Sequence, residues 1–281
     1  MQTQKSEPVN WSNAALYWEK HRDTICQFFA PVARALIEEA AIAPGWHVLD
    51  IASGSGEPAL TIAQFVGPAG KVRGIDPIPE MVAAANRAAN ALGLSTAKFE
   101  VAYADRLPYQ PNTFDALVCR FGVMFIPSPL EAMTDMLRVL KPGRKLAFAV
   151  WGYADSNPFF VTTQAVLDRH VPAATSEPDA PTPFRFAEPG KLLALLNQAG
   201  AIDTSEHLLE FPIEAPFTAE HFLDIRLEMS EKLREALTNL PVDRAANLKR
   251  DLLEAIQPYA TPAGIRMPGR VRIVSGSKPG Y

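Results

Sequence analysis

Between Trp46 and Trp151 the sequence alternates five times between a short apolar run and a helix-type pattern. Few architectures accept that rhythm. The runs WHVLDIA (46–52), KVRGID (71–76), AKFEVAY (97–103), FDALVCR (114–120) and KLAFAVW (145–151) have strand length. They are apolar almost throughout, as strands covered on both faces must be. The segments between them carry apolar residues at helical spacing. One opens at Glu57-Pro58 and runs through Leu60, Ile62 and Phe65 to Gly67-Pro68. Another is alanine-rich and closes at Gly93, and a third, PLEAMTDMLRVL, is stopped by Lys141-Pro142-Gly143. Proline at a helix start and glycine past its end are the expected punctuation. Strand and helix in alternation with short connections predict right-handed crossovers and a mostly parallel sheet with helices on both faces, a doubly wound α/β fold.

A helix is predicted before the first strand, with Val32, Leu36, Ile37 and Ala40 at helical spacing ahead of Pro44-Gly45. After Trp151 the rhythm changes. A helix-like stretch from Phe159 to His170 leads into a proline-rich segment around 171–190, read as a linker or irregular lid. Then come a helix (KLLALLNQAG), a strand (EHLLEFPI), two amphipathic helices (about 217–239 and 241–257) and a last strand (VRIVSG). The prediction is a seven-stranded sheet with a helical cap inserted between the last two strands.

Composition narrows the function classes. A net charge of −4, with no run of Lys or Arg, argues against a protein that tracks nucleic-acid phosphates. Cys26 and Cys119 stand far apart without the close Cys or His neighbours of a zinc site, so no metal is expected. No stretch approaches the roughly 18 apolar residues of a membrane span. No hydrophobic signal region opens the sequence, so the expected address is the cytoplasm.

The most informative segment is VLDIASGSGEPAL. A strand carries Asp50 at its end, and Gly54 and Gly56 make the turn into a helix. Ligands of doubly wound sheets bind outside the carboxyl ends of the strands, where this first loop lies. The glycines alone leave the ligand open. Gly54 to Ala59 also fits the dinucleotide pattern G-x-G-x-x-A, with Asp76 twenty residues after Gly56. Three acids shift the balance. Asp50 before the glycines would repel a pyrophosphate and suit an ammonium group. Asp76, ending the second strand, can accept from both hydroxyls of a ribose. Asp105, following the third, can accept from an adenine amino group.

The segments VLDIASGSGEPA, GIDPIPEMV, YADRLPYQPNTFDALVCRFGVMFIP and VLKPGRKLAFAVW resemble class I S-adenosylmethionine-dependent methyltransferases. The likeness is greatest to the ubiquinone/menaquinone-type (methyltransferase type 11-like) branch. It covers about residues 31–152 and continues more loosely through FAEPGKLLALLNQAGA. It implies a Rossmann-like fold, S-adenosylmethionine (SAM) as cofactor, S-adenosylhomocysteine (SAH) as product and a small-molecule acceptor. Residue by residue, it places Asp50, Ala52, Ser53, Gly54 and Gly56 in the cofactor loop, and Asp76 on the ribose with Pro77 and Met81 beside it. Ala104, Asp105 and Arg106 would surround the adenine, and Arg120 and Phe121 would stand near the methionine end. One position departs from the common pattern, with Pro58 where a third glycine is usual.

The chain is expected to divide into an N-terminal lid (1–30), as in related enzymes, a SAM-binding core (31–152) and a C-terminal part (153–281) whose cap, outside the alternating pattern, would serve the acceptor. The lid would bring Trp18 or Tyr17 to the cofactor. His21 is the one histidine worth testing as a proton acceptor. Trp151, Tyr153, Phe159 and Phe160 follow the fifth strand and suggest an apolar or aromatic acceptor. Two other readings stand beside this one: an NAD(P)-dependent oxidoreductase, and a SAM-binding protein without catalysis.

Overall fold

The computed structural model describes residues 11–171 and 179–280. The first ten residues of the expected lid and the middle of the proline-rich segment lie outside them. Eight strands form one sheet: β1 (His47–Ile51), β2 (Lys71–Asp76), β3 (Ala97–Val101), β4 (Phe114–Arg120), β5 (Leu140–Trp151), β6 (Ile202–Ala215), β7 (Ala260–Thr261) and β8 (Gly264–Ser277). Seven of them cross the sheet in the order β3-β2-β1-β4-β5-β8-β6, and the two-residue β7 pairs only with β8. The pairs among β1 to β5 are parallel, whereas β8 runs antiparallel to both β5 and β6.

The predicted alternation produces this half-parallel sheet for a simple reason. Val48, Leu49, Ile51, Val72, Ile75, Leu117, Val118 and Phe148 are all buried to within 1% of full coverage. Each such side chain stabilises the fold by roughly 1.5–3 kcal/mol relative to exposure. Chain order reverses between β1 and β4, since β2 and β3 extend to one side and β5 to the other. Two loops therefore diverge at that point and leave a crevice.

The cap is observed between β6 and β7, but with three helices: Ala219–Met229, Glu231–Asn239 and Val242–Ile256. The single helix expected over about 217–239 is broken at Ser230, which leaves helical geometry (φ −104°, ψ 109°). Its hydroxyl accepts from the Leu233 N–H at 3.4 Å and so caps the second helix. The N-terminal segment is helical from Trp11, in three pieces: Trp11–Lys20, Arg22–Phe28 and Ala30–Glu39.

Candidate active site

A cavity of about 390 Å³ opens at the carboxyl ends of β1, β2 and β4, under the first two N-terminal helices. Trp18, Ala52, Ser53, Gly54, Asp76, Pro77, Met81, Ala104, Asp105, Arg120 and Phe121 all line it. The structure thus gathers eleven of the expected cofactor residues around one space.

The glycine loop shapes its floor. Gly54 has φ +52°, and a Cβ built on it would meet no atom within 4 Å. The backbone at that point faces open room, which a ligand can approach closely. Its N–H donates to Asp76 Oδ2 at 3.0 Å. Gly56 serves a different purpose, because at φ +115° its Cβ would fall 2.8 Å from Leu60 Cδ1. It lets the loop pack on the following helix and does not line the cavity. Ala52 (φ 54°) and Phe121 (φ 59°) take left-handed conformations that side chains rarely adopt, and both lie on the cavity wall.

Asp76 ends β2 and is nearly buried. Besides Gly54, its carboxylate accepts from the Ile78 N–H at 3.0 Å, so the loops after β1 and β2 are pinned to one side chain. Burial raises its pKa above the ordinary carboxylate value, and the two backbone donors oppose that rise. Asp105 is exposed at the rim.

Asp50 departs from expectation. It is fully buried, its Oδ2 accepts from the Ala59 N–H at 3.1 Å, and it lies beneath the loop and not on the cavity wall. Burial pushes its pKa up to about 8, with Arg120 opposing. From there it does not present its carboxylate to the cavity, where the expected ammonium would lie. Oδ1 has no hydrogen-bond partner, and neither does the buried Ser53 hydroxyl on the wall. Arg106 also stays outside the cavity, exposed beyond the tight turn that bridges it to Tyr103.

Arg120, at the end of β4, donates through Nη2 to the Glu57 carbonyl at 3.1 Å. Its guanidinium carbon lies 5.8 Å from the centre of the Phe29 ring. Trp11 closes the top, 6.2 Å from Trp18 and 5.3 Å from Phe125 between ring centres. Trp11, Phe29, Phe125 and Ile126 line the cavity too, and sequence reasoning missed them in that role. Phe125 and Ile126 were legible as an apolar stretch just after β4, the position to which the doubly wound rule points.

Two expected contacts go elsewhere. Tyr17 packs under Arg234 of the cap, 4.4 Å from the guanidinium carbon. His21 meets Glu228 of the cap, Nε2 to Oε2 at 2.6 Å, and does not line the cavity. Lys20 binds the same carboxylate at 2.7 Å, so these contacts tie the N-terminal segment to the helix Ala219–Met229. The aromatics after β5 do not line the cavity either. Trp151 and Phe159 are core residues, with Trp151 stacked behind Phe121 at 4.4 Å, and Tyr153 is half-exposed.

Residues 48–143 match a family described as methyltransferase domain. Over that stretch the chain is similar to methyltransferase domains. The chain is 33% identical over 105 residues to a demethylmenaquinone methyltransferase of Bacillus cytotoxicus, which is 37% of this chain and 44% of that protein. It therefore spans less than half the length of such relatives. Among solved structures, a putative methyltransferase from Bacillus halodurans aligns with 20% identity and a TM-score of 0.54, covering 88% of this chain and 98% of that one. The [4+2]-cyclase SpnF aligns at 20% and 0.55, covering 99% and 100%. Likeness at that level is likeness of fold, and a fold carries more than one chemistry. The matched residues occupy the part of the sheet that forms the cavity floor.

Proposed function

We propose that the protein binds SAM in this cavity and transfers its methyl group to a small-molecule acceptor. One observation carries the reading: an open approach to the Gly54 backbone flanked by Asp76, Asp105 and Arg120. Asp76 suits a ribose diol, Asp105 an adenine amino group at the rim, and Arg120 the carboxylate of an amino-acid moiety. The unpartnered Ser53 hydroxyl offers one more polar contact.

SAM, when bound, supplies an electrophilic methyl group on a sulfonium. The chain's own contribution is placement and dryness: Trp11, Trp18, Phe29 and Phe125 enclose the space, and close orientation replaces a bimolecular encounter. Among the described residues no histidine or lysine lines the cavity. The relatives named demethylmenaquinone methyltransferase make a flat, apolar, quinone-type molecule the first acceptor class to test.

The oxidoreductase reading is weakened by topology, not by Asp50. A dinucleotide domain continues its parallel order past the fifth strand, whereas here the antiparallel pair β8 and β6 follows β5. Calorimetry with SAM, SAH and NADH tests the proposal. SAM and SAH are expected to bind and NADH not. NADH binding without SAM binding would overturn it. Turnover of labelled SAM in a metabolite extract then separates an enzyme from a SAM-binding protein.

A further inference from the structure

The charges on the cavity wall do not balance internally. Two arginines, Arg22 and Arg120, and three acids, Glu57, Asp76 and Asp105, face it. Most are already served. Asp76 holds two backbone N–H groups, and Glu57 Oε2 accepts from the Thr61 hydroxyl at 2.7 Å. Arg120 donates to the Glu57 carbonyl, and although burial lowers its pKa, the nearby Glu57 carboxylate opposes that loss of charge.

Arg22 differs. Its side chain is only 22% exposed, and its bond is to the adjacent Asp23, whose own side chain is 87% exposed. Glu19, three residues earlier, feels the Arg22 charge but gives both carboxylate oxygens to Arg87, at 2.8 and 2.7 Å, and is itself partly exposed. Arg22 therefore brings a permanent cation to the cavity with no buried carboxylate to meet it. Its position is specific as well. Arg22, Ile25 and Phe29 recur at helical spacing and all line the cavity, so the charge stands on an otherwise apolar stripe of the lid.

SAM has one carboxylate. Arg120, beside the glycine loop at the end of β4, is placed to take it. From this we infer that Arg22 recognises the acceptor, and that the acceptor carries a negative group when bound, a carboxylate or an ionised acidic hydroxyl on a flat apolar body. The inference rests on the reading that the cavity takes SAM. It also fits the wall's lack of histidine and lysine, since an acceptor that binds ionised asks the protein for no strong base. An arginine beside it favours that ionised form.

The test uses the full chain loaded with SAH and two probes of equal shape, 2-naphthoate and the neutral 2-naphthylmethanol, titrated by NMR. Naphthoate is expected to bind at least about tenfold more tightly, the value of one charge-assisted hydrogen bond. Arg22→Met should abolish the difference, Arg22→Lys should keep part of it, and all three proteins should bind SAH within about threefold of each other. Melting curves establish that the variants are folded. Equal binding of both probes to wild type would overturn the inference. So would a preference that survives in R22M, or an SAH affinity that falls with R22M, which would put Arg22 on the cofactor. If wild type binds no SAH, the reading of the cavity itself is at fault, and the acceptor subsite falls with it.

Discussion

Replacing Asp76 by alanine should damage the protein in two measurable ways, and Asp105 provides the control. Asp76 is nearly buried and accepts from the Gly54 and Ile78 N–H groups, both at 3.0 Å. Hydrogen bonds to a charged group contribute about 1.5–3 kcal/mol each. Part of that is offset by the cost of burying the carboxylate, which the raised pKa of Asp76 reflects. The expected net loss in D76A is therefore about 2–3 kcal/mol, or roughly 5–10 °C in Tm for a chain of this size. SAM affinity should fall by at least about tenfold, because the ribose acceptor is gone and Gly54 is no longer held. Asp105 is exposed and accepts no hydrogen bond among the described residues. D105A should keep wild-type stability to within about 0.5 kcal/mol while still losing SAM affinity. Scanning calorimetry and titration calorimetry on the two variants supply both numbers. A folded D76A with an unchanged SAM Kd would refute the assignment of Asp76, and a destabilised D105A with normal binding would reverse the two roles.

Three further outcomes follow from the same contacts. Burial pushes Asp50 up to about 8, so the folded protein keeps a proton that the unfolded chain, with its ordinary value near 4, gives up. Stability should then fall as pH rises from about 4 towards 8, by roughly 1.4 kcal/mol per unit. D50N should lack that slope, and denaturant curves of wild type and D50N that stay parallel from pH 5 to 8 would contradict it. Phe222, fully buried with its ring 6.2 Å from both Phe28 and Phe159, should cost about 3–5 kcal/mol when cut to alanine. Its SAM Kd should stay within about threefold, and a selective change in ligand binding without loss of stability would show that Phe222 is a site residue and not core. Trypsin cleavage at Lys20 and Arg22 should slow when SAH is bound, since Trp18 and Arg22 form part of the cavity wall; equal rates would speak against a lid.

The parallel half of the fold was open to reading because burial on both faces leaves a direct mark on sequence, and β1, β4 and the second half of β5 are apolar for that reason. The antiparallel half was harder. β6 alternates exposed and covered residues along much of its length, so only its central part stood out from the flanking chain. In the site, residues next to strand ends were legible because position in the alternation decides where they point. What could not be read was depth. Asp76 is the last residue of β2, whereas Asp50 stands one short of the end of β1 and pairs with Gly74, so Asp50 is sealed under the loop while Asp76 faces the cavity. Nor does periodicity tell which aromatics face a cavity. Trp151 and Phe159 looked like acceptor contacts and are core, whereas Trp11 and Phe125, far apart in sequence, meet across the opening.

The place of β8 in the sheet has a consequence for how the protein is made. Translation adds roughly 5–20 residues per second, and folding proceeds as segments emerge. β1 to β4 find all their ladders among themselves and β5, so the parallel half can assemble as soon as Trp151 is available. β6 cannot join it, because its only ladder is to β8, and β8 is also the strand that covers the far edge of β5. Throughout synthesis of the linker, β6 and all three cap helices, β5 therefore offers an open row of backbone donors and acceptors. The nascent chain is most vulnerable to pairing with a neighbour during that interval, and the arrival of Gly264–Ser277 ends it by covering the β5 edge and giving β6 its ladder at once.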